Sequence, residues 1–233
     1  MGNQKLTSLS FVFPMYNEIE NIKPCIEGAI YIAEKLGIDF EIVVVNDAST
    51  DGCEKLAEEM AKTIPQIKVL HHEKNRKLGG TLRTGFYGAT KDYILYMDSD
   101  LPLDFDDVAE AIPKIGDFDI LIGYRLTRDE SIKRKVLSTG YNLLIRTLFG
   151  LQAKDVNFSF KLFKKEILEK IALKSEGSFI DAELLIEARR AGYQMTQVGL
   201  PYHPRIAGES TLASTSVIQK TFEEMGAYFF RKK

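Results

Sequence analysis

The chain has 233 residues, of which 45% are hydrophobic, and carries a formal net charge of −2 at pH 7. That length suits one α/β domain with an appendage, and that apolar content is sufficient for a hydrophobic core. A charge so close to zero gives no general reason to expect a nucleic-acid partner. Cys25 and Cys53 form neither a metal-binding spacing nor a disulfide framework, so we expect a reducing, cytoplasmic compartment.

The N-terminal segment does not have the pattern of a secretory signal. Residues 1–10 are mainly polar, and the first apolar run is short and interrupted by Pro14. No window of the sequence approaches the roughly 18–20 uncharged apolar residues that a membrane-spanning helix needs. We therefore expect a cytoplasmic protein, either soluble or peripheral at the cytoplasmic face of a membrane.

Apolar runs alternate with helical spacings of apolar residues through the first half of the chain. In chain order, these patterns predict a strand at 9–13, a helix at 19–36, a strand at 40–45, a helix at 54–62, a strand at 67–70, a helix at 82–89, a strand at 93–97, a helix at 105–115 and a strand at 119–122. Asp51 and Asp104 are candidate caps for the second and fourth helices. Strands that alternate with helices imply a mainly parallel sheet with right-handed crossovers.

The regular alternation ends after residue 125. The later patterns predict a long amphipathic helix at 132–149, a strand at 158–163, helices near 167–172 and at 182–190, a strand at 194–200 and an amphipathic helix at 217–230. The second half of the chain is therefore expected to differ in organisation from the first.

Carboxylates stand where the chain leaves two of the predicted strands. Asp47 follows the apolar run 43–45, and Asp98 and Asp100 follow the strand at 93–97. Ligands bind at the carboxyl ends of the strands in open parallel sheets, so these side chains are expected to face a crevice. Asp98 and Asp100 repel each other unless a cation or a shared proton intervenes, and their hard oxygens suit Mg²⁺ or Mn²⁺ together with substrate phosphates. The pattern indicates a nucleoside-diphosphate substrate, with a solvated turn as the alternative.

Other segments near these strand ends allow two interpretations each. Asp47 can accept a hydrogen bond from a base N–H or a ribose hydroxyl, or it can cap the following helix. Tyr16 and Glu18 can project into the crevice or belong to an ordinary turn. Residues 77–81 can hold a phosphate at a helix N-terminus or form a flexible turn.

The motifs follow one another in a definite order along the chain. They are the segment 14–18, Asp47 with Asp51 and Gly52, Asp98-Ser99-Asp100, Gly123-Tyr124-Arg125, Arg134 and Ser138, Asp155, and the segment 205–210. This order resembles the inverting family-2 glycosyltransferases of the GT-A fold, in particular their dolichol-phosphate mannose synthase and polyprenyl-phosphate glycosyltransferase branch. The resemblance covers nearly the whole chain.

The resemblance implies a fold and an activity. The fold would be a GT-A, Rossmann-like, mainly parallel α/β sheet with flanking helices, followed by an acceptor-side α+β extension with an amphipathic helix. Residues 1–233 would form a single catalytic domain, with a nucleotide-sugar half at 8–125 and an acceptor half at 126–233. Such an enzyme moves a sugar from a GDP- or UDP-sugar to an acceptor, which in this branch is a polyprenyl or dolichyl phosphate. Mannose, glucose and amino sugars all stay open.

The resemblance also implies a role for each matched residue. The nucleotide would be held by Pro14, Tyr16, Glu18, Asp47 and Asp98. The metal ion, Mg²⁺ or Mn²⁺, would be held by Asp98 and Asp100. Phosphate of the donor or of the lipid acceptor would be held by Arg125, Arg134, Ser138 and Arg205. The residues implied in catalysis are Asp100, Asp155 and Arg205, the last of them on a loop that closes over the leaving diphosphate.

Three positions depart from the pattern of this branch. Pro102 stands where a metal-binding glutamine is usual, so a water or another protein group would complete the metal shell. Ser159 and Lys161 stand where glycine and arginine are usual, which puts mannose specificity in doubt more than the fold. Pro102 and Ser159 favour one alternative, a nucleotide-sugar or lipid-phosphate binding module with degraded catalysis.

Two other enzyme classes share parts of this pattern. A nucleotidyltransferase would share the parallel sheet and the acidic metal site, but a glycine- and arginine-rich loop would replace residues 15–18. A dinucleotide dehydrogenase would need a glycine fingerprint after the first or second strand, and the sequence has none there. His71 and His72 end the third predicted strand without a third ligand nearby in sequence, and we interpret them as crevice-edge residues.

The helix at 132–149 carries basic residues beside an apolar face, which suits the surface of an anionic bilayer. The pattern alone favours packing against the sheet, but the resemblance reverses that preference because polyprenyl phosphates are reached from the membrane plane. A separate membrane protein is a further candidate partner. A phosphate acceptor is already ionised at pH 7 and needs no strong base. A saccharide hydroxyl would need one, for which Asp155, Asp181 and Glu183 are candidates.

Overall fold

The computed structural model of the chain describes residues 6–99, 103–126, 132–202 and 215–231; for residues 132–134 and 215–216 it describes the backbone alone. The elements, in chain order, are β1 (Ser8–Met15), α1 (Ile22–Leu36), β2 (Asp39–Asn46), α2 (Cys53–Thr63), β3 (Ile67–His71), α3 (Lys77–Gly88), β4 (Tyr93–Met97), α4 (Phe105–Ala111), β5 (Ile120–Arg125), α5 (Ile132–Phe149), β6 (Phe160–Lys164), α6 (Ile167–Lys170), α7 (Ile180–Arg190), β7 (Met195–Leu200) and α8 (Thr215–Arg231).

The seven described strands form one sheet in the order β3-β2-β1-β4-β6-β5-β7. The pairs β1–β2, β1–β4, β2–β3 and β5–β7 are parallel, which confirms the prediction of a mainly parallel sheet. The sequence pattern gave no indication that β6 enters between β4 and β5 and runs antiparallel to both. The second half of the chain therefore completes the sheet that the first half begins.

Both faces of the sheet are covered by helices, because its central strands are apolar on both sides. Phe11 and Phe13 of β1 pack against α1, α2 and α4 on one face. Val12 of the same strand points to the other face, where α3, α5, α7 and α8 contribute buried side chains. This burial of consecutive residues is typical of parallel strands with helices on both sides. It leaves the ends of the strands as the place where polar side chains reach solvent.

Several helix boundaries differ from the prediction for identifiable reasons. Helix α3 begins at Lys77, because Gly79 and Gly80 lie in a close helical turn against residues 175–177, where a Cβ on Gly79 would approach Ser175 O to 2.3 Å. Helix α4 ends at Ala111 and continues as a short 3₁₀ turn, Ile112–Ile115, because Pro113 lacks the N–H that an α-helix requires. The predicted helix near 167–172 is shortened to α6.

The two predicted caps behave differently. Asp104 is the N-cap of α4, and its Oδ1 accepts a hydrogen bond from Asp106 N at 2.8 Å, as predicted. The N-cap of α2 is Gly52, which has φ of 92°, and not Asp51 as predicted. Asp51 still accepts hydrogen bonds from Cys53 N and Ile19 N, at 3.0 Å and 2.9 Å, and so joins the start of α2 to the loop after β1. Burial is the largest single influence and raises the pKa of the Asp51 carboxyl, but hydrogen bonds from the Cys53 side chain and from the backbone N–H groups of Cys53 and Ile19 lower this pKa overall.

Candidate active site

The carboxyl ends of β1, β2 and β4 meet at one edge of the sheet. Met15 at the end of β1 is in register with Asn46 at the end of β2, and Asp47 N donates a hydrogen bond to Met15 O at 2.9 Å. Ser99, two residues after β4, donates from Oγ to Pro14 O at 2.7 Å. The segment 14–18, Asp47 and Asp98 are therefore neighbours at this edge, as expected from the strand-end rule.

Asn17 holds the loop after β1 against the loop after β2. Its N–H donates to Ser49 Oγ at 3.1 Å, and its Oδ1 accepts from Thr50 N at 2.8 Å. Asn17 has φ of 56° and Ala48 has φ of 60°, so both loops contain left-handed residues that fix their shape. Tyr16 lies beside this clip and is 45% exposed. The sequence motif marked the segment, but the role of Asn17 as a clip was not predicted.

Asp47 is buried and tightly held. Its Oδ1 accepts hydrogen bonds from Arg76 N and from His72 Nδ1, each at 2.7 Å. His72 Nε2 lies 2.8 Å from Thr84 Oγ1 on α3, and the His72 side chain is 5% exposed. Asp47 does not cap α2, so that alternative is wrong in this structure. The interpretation of His72 as a crevice-edge residue missed its position as the side-chain partner of Asp47, since sequence spacing gives no sign of a contact across 25 residues.

The N-terminus of α3 is occupied by the protein's own backbone. Gly79 N and Gly80 N both donate to Glu176 O, at 2.8 Å and 3.3 Å. Glu183 accepts from Lys174 N and Ser175 N at 2.9 Å and 2.7 Å, and thus anchors the segment that supplies this carbonyl. Neither interpretation of residues 77–81, a phosphate cradle or a flexible turn, describes this contact. Glu183, a candidate base for a hydroxyl acceptor, is buried and holds a loop.

Asp98 is the first residue after β4. Its Oδ1 accepts a hydrogen bond from Tyr96 Oη at 2.8 Å, and Tyr96 is almost fully buried. Because Tyr96 is locked in the core, this bond fixes the orientation of the Asp98 carboxylate at the sheet edge. Asp100 and Pro102 lie outside the described residues.

Arg125, the last residue of β5, forms a buried pair with Asp155. Arg125 Nε lies 3.3 Å from Asp155 Oδ2, and the two side chains are 10% and 3% exposed. The Arg125 guanidinium lies over the ring of Tyr202, 4.9 Å from its centroid. An aromatic face attracts a guanidinium and shields it from water. The structure therefore brings together two residues that belong to separate motifs in the sequence.

Lys161 is fully buried on β6, next to Tyr96 of β4 in register. Its Nζ lies 2.5 Å from Asp181 Oδ1 and donates to Phe158 O at 2.8 Å. Burial raises the pKa of Asp181, and the charge of Lys161 opposes that rise. Lys161 departs from the family pattern at this position, and the sequence gives no indication of its partner. Asp181, also a candidate base, is buried in this pair.

The remaining predicted residues are on or beyond the acceptor-side helices. Ser138 Oγ donates to Lys135 O within α5 at 3.3 Å, and no described contact joins it to the strand ends. Arg134 is described by its backbone alone, and Arg205 lies outside the described residues. Within the ranges that are described, every helix falls short of the length and apolarity that crossing a bilayer requires.

Comparison with known proteins identifies relatives along most of the chain. Residues 10–172 match the model of Glycosyl transferase family 2. Dolichyl-phosphate beta-glucosyltransferase of Saccharomyces cerevisiae is 31% identical over 237 residues, which covers 90% of this chain and 71% of that protein. Polyprenol monophosphomannose synthase of Mycolicibacterium smegmatis is 28% identical over 227 residues, which covers 91% of this chain and 83% of that protein. Glycosyltransferase AglD of Haloferax volcanii is 29% identical, but this chain spans 33% of its length.

Solved structures resemble the fold. Glucosyl-3-phosphoglycerate synthase from Mycobacterium tuberculosis, in complex with Mn²⁺, UDP and phosphoglyceric acid, matches 96% of this chain and 78% of its own, with a TM-score of 0.76 at 16% identity. A mannosyltransferase from Pyrobaculum calidifontis, in complex with GDP-Man and Mn²⁺, matches 94% of this chain and 64% of its own, with a TM-score of 0.65 at 20% identity. These likenesses confirm the predicted GT-A fold. The family model matches residues 10–172, which are more than half of this chain, and the chain therefore belongs to glycosyl transferase family 2.

Proposed function

We propose that this enzyme transfers a sugar from a nucleoside-diphosphate sugar to a polyprenyl or dolichyl phosphate, with inversion at the anomeric carbon. The observation that carries this proposal is the meeting of the segment 14–18, Asp47 and Asp98 at one sheet edge, within a family of glycosyltransferases. Two relatives that the chain covers over most of their length are named dolichyl-phosphate beta-glucosyltransferase and polyprenol monophosphomannose synthase. On this proposal the whole chain, 1–233, acts as one catalytic domain.

The nucleotide of the donor would bind at the ends of β1, β2 and β4. Tyr16 is exposed and offers a ring face for stacking on a base, beside Pro14 and Glu18. Asp47 would accept a hydrogen bond from the base, and Asp98 would lie by the diphosphate. The rigid hydrogen bonds around Asn17 and Asp47 support this assignment, because a site that is already ordered loses little entropy on binding.

A divalent metal ion would bind at Asp98 and Asp100. The Asp98 carboxylate fits this role because it is a hard oxygen ligand, held at the sheet edge by Tyr96. When bound, Mg²⁺ or Mn²⁺ supplies charge neutralisation for the departing diphosphate. The structures with Mn²⁺ among the fold relatives make Mn²⁺ the first ion to test.

The reaction needs positive charge more than it needs a base. An oxygen of the acceptor phosphate would attack the anomeric carbon from the face opposite the diphosphate, and the bond from that carbon to the diphosphate would break. Arg125, Arg134, Ser138 and Arg205 would stabilise the charge of the phosphates, the kind of electrostatic contribution that is usually largest in such sites. Asp155 would keep the Arg125 guanidinium in place, since the two are paired. Asp100 would act in catalysis by binding the metal ion, and Arg205 by closing over the leaving diphosphate.

The lipid acceptor would be reached through contact with a membrane surface. Helix α5 packs on the sheet through Tyr141 and Ile145, and its other side exposes Val136 and Leu143, which are 65% and 57% exposed. Phe230 at the end of α8 is 76% exposed. Lys135 and Arg146 add exposed positive charge on α5, which suits an anionic headgroup layer. A separate membrane protein is the alternative occupant of this surface.

An acceptor comparison tests this proposal. The purified protein is incubated with Mn²⁺ and radiolabelled UDP- and GDP-sugars in detergent, together with a polyprenyl phosphate, the matching polyprenol, or a saccharide. We expect labelled lipid with the phosphate and none with the alcohol, because only the phosphate is ionised without a base. Transfer to the saccharide or the alcohol in place of the phosphate would overturn the proposed acceptor.

A further inference from the structure

The two oxygens of the Asp47 carboxylate are in different situations. Oδ1 accepts two hydrogen bonds, one from Arg76 N and one from His72 Nδ1, each at 2.7 Å. No described residue donates a hydrogen bond to Oδ2. Since a carboxylate oxygen has two lone-pair positions, Oδ1 is saturated by the protein and Oδ2 is the oxygen left for a ligand.

The orientation of the His72 ring is also fixed by a contact of its second nitrogen, Nε2. An ionised carboxylate can only accept, so Nδ1 of His72 carries the proton that is donated to Asp47. Nε2 lies 2.8 Å from Thr84 Oγ1, and Thr84 sits on α3 with its own hydroxyl 3.1 Å from Gly80 O. The imidazole ring is therefore fixed at both nitrogens, and it turns one specific edge toward Asp47.

We infer that this site selects uridine diphosphate sugars over guanosine diphosphate sugars, and that His72 is a residue that sets this preference. Guanine presents two adjacent donors, N1–H and an N2–H, which pair best with both oxygens of one carboxylate. Uracil presents a single ring donor, N3–H, and needs one acceptor. A carboxylate with one oxygen already saturated satisfies uracil fully and leaves one guanine donor unpaired, which is costly in a desolvated site.

This inference rests on the proposed role of Asp47 in base binding and adds to it a choice of base. His72 is the partner to test because Arg76 donates through its backbone, which a side-chain substitution leaves in place. His71 provides a matched control. It is the adjacent histidine, its side chain is 40% exposed and contacts Asn46 and Glu58, and no described hydrogen bond or ion pair joins it to Asp47.

The experiment is calorimetric titration of UDP and GDP, each with Mn²⁺, into the full-length wild type and three variants. His72→Leu removes the donor to Asp47 Oδ1, His72→Asn keeps a donor at the δ position, and His71→Leu is the control. We expect wild type to bind UDP at least about 10-fold more tightly than GDP. His72→Leu should reduce that ratio by about 5- to 10-fold, while His72→Asn and His71→Leu stay close to wild type.

The outcomes separate this inference from the proposed function. If GDP binds as tightly as UDP to wild type, the choice of base is wrong and the nucleotide site stands. If a folded His72→Leu, checked by its melting curve, keeps the wild-type ratio, or if His72→Asn loses it as completely as His72→Leu, the assignment of His72 is overturned. If neither nucleotide binds to wild type, the proposed donor site itself is wrong.

Discussion

The nucleotide edge and the acceptor-side interior of this protein are held together by different forces. Around Asp47 and Asn17, short loops are joined by hydrogen bonds from backbone N–H groups and small polar side chains. Around Lys161 and Arg125, the contacts are buried ion pairs between charged side chains. The first arrangement holds the buried Asp47 carboxylate through neutral hydrogen-bond donors. The second is sensitive to the loss of either partner, because it leaves a charge in the interior.

The largest expected effect comes from breaking the interior pair. Lys161→Met leaves Asp181 buried without its counter-charge, and removing one partner of such a pair typically costs about 3–5 kcal/mol of unfolding free energy. The double variant Lys161→Met/Asp181→Leu, which removes both charges, should recover most of that loss. Urea denaturation at pH 7 measures both. Equal instability of the single and double variants would mean that packing and not charge dominates at this position.

The same pair predicts a pH dependence with a definite sign. The pKa of Asp181 is raised by burial and lowered by Lys161, so Lys161→Met should raise that pKa further. A group with a raised pKa in the folded state stabilises the protein at low pH, and this contribution is lost as pH rises through the folded value. The stability deficit of Lys161→Met should therefore be small near about pH 4 and grow toward pH 7. A deficit that stays constant over this range would contradict the assignment.

The second largest effect is expected on the turnover number, from substitutions at the nucleotide edge. Asp98→Asn should lower the turnover number by about 10²–10³-fold, since it removes a charge proposed to bind the metal that balances the diphosphate. Its melting temperature should stay close to that of wild type, because Asp98 lies at the edge of the sheet, after the end of β4. Tyr96→Phe, which removes only the hydroxyl that orients Asp98, should reduce turnover less. Greater loss in Tyr96→Phe than in Asp98→Asn would contradict this order.

An intermediate effect on the unfolding free energy is expected where the first turn of α3 contacts the loop 175–177. Gly79→Ala would place a Cβ 2.3 Å from Ser175 O, so the loop 175–177 must move, at a cost of about 1–3 kcal/mol. Gly140→Ala on α5 is a matched control, because no described atom outside the neighbouring backbone of α5 lies within 4 Å of its Cβ position. That variant should be stabilised by about 0.5–1 kcal/mol, as alanine is the better helix former. Thermal or urea unfolding of both variants measures the difference, and equal effects would show that the contact is unimportant.

The prediction of the fold from sequence succeeded where one rule was sufficient. Apolar runs identified β1, β2 and β4, and the strand-end rule brought Asp47 and Asp98 to one edge. The antiparallel insertion of β6 could not be predicted, because an apolar run does not reveal the direction of its partners. The pairs Arg125–Asp155, Lys161–Asp181 and His72–Asp47 were also missed as pairs, since each joins segments whose proximity depends on the completed sheet.

The smallest effect on stability is expected at the exposed surface of α5. Val136→Ser with Leu143→Ser should change unfolding free energy by no more than about 0.5 kcal/mol per site. Flotation with vesicles that contain anionic lipid and polyprenyl phosphate should show weaker binding of this double variant. Tyr87→Ser on α3, where Tyr87 is 54% exposed, is the control and should bind like wild type. Unchanged vesicle binding of the α5 variant would argue against a membrane contact there.

Inverting transfer to a lipid phosphate can be tested through the anomeric configuration of the product. Wild-type protein is incubated with an α-linked UDP-sugar, Mn²⁺ and a polyprenyl phosphate, and the anomeric configuration of the lipid-linked sugar is determined by NMR. We expect a β-linked polyprenyl phosphate sugar, because the acceptor attacks opposite the leaving diphosphate. An α-linked product, or release of free sugar without lipid product, would contradict it.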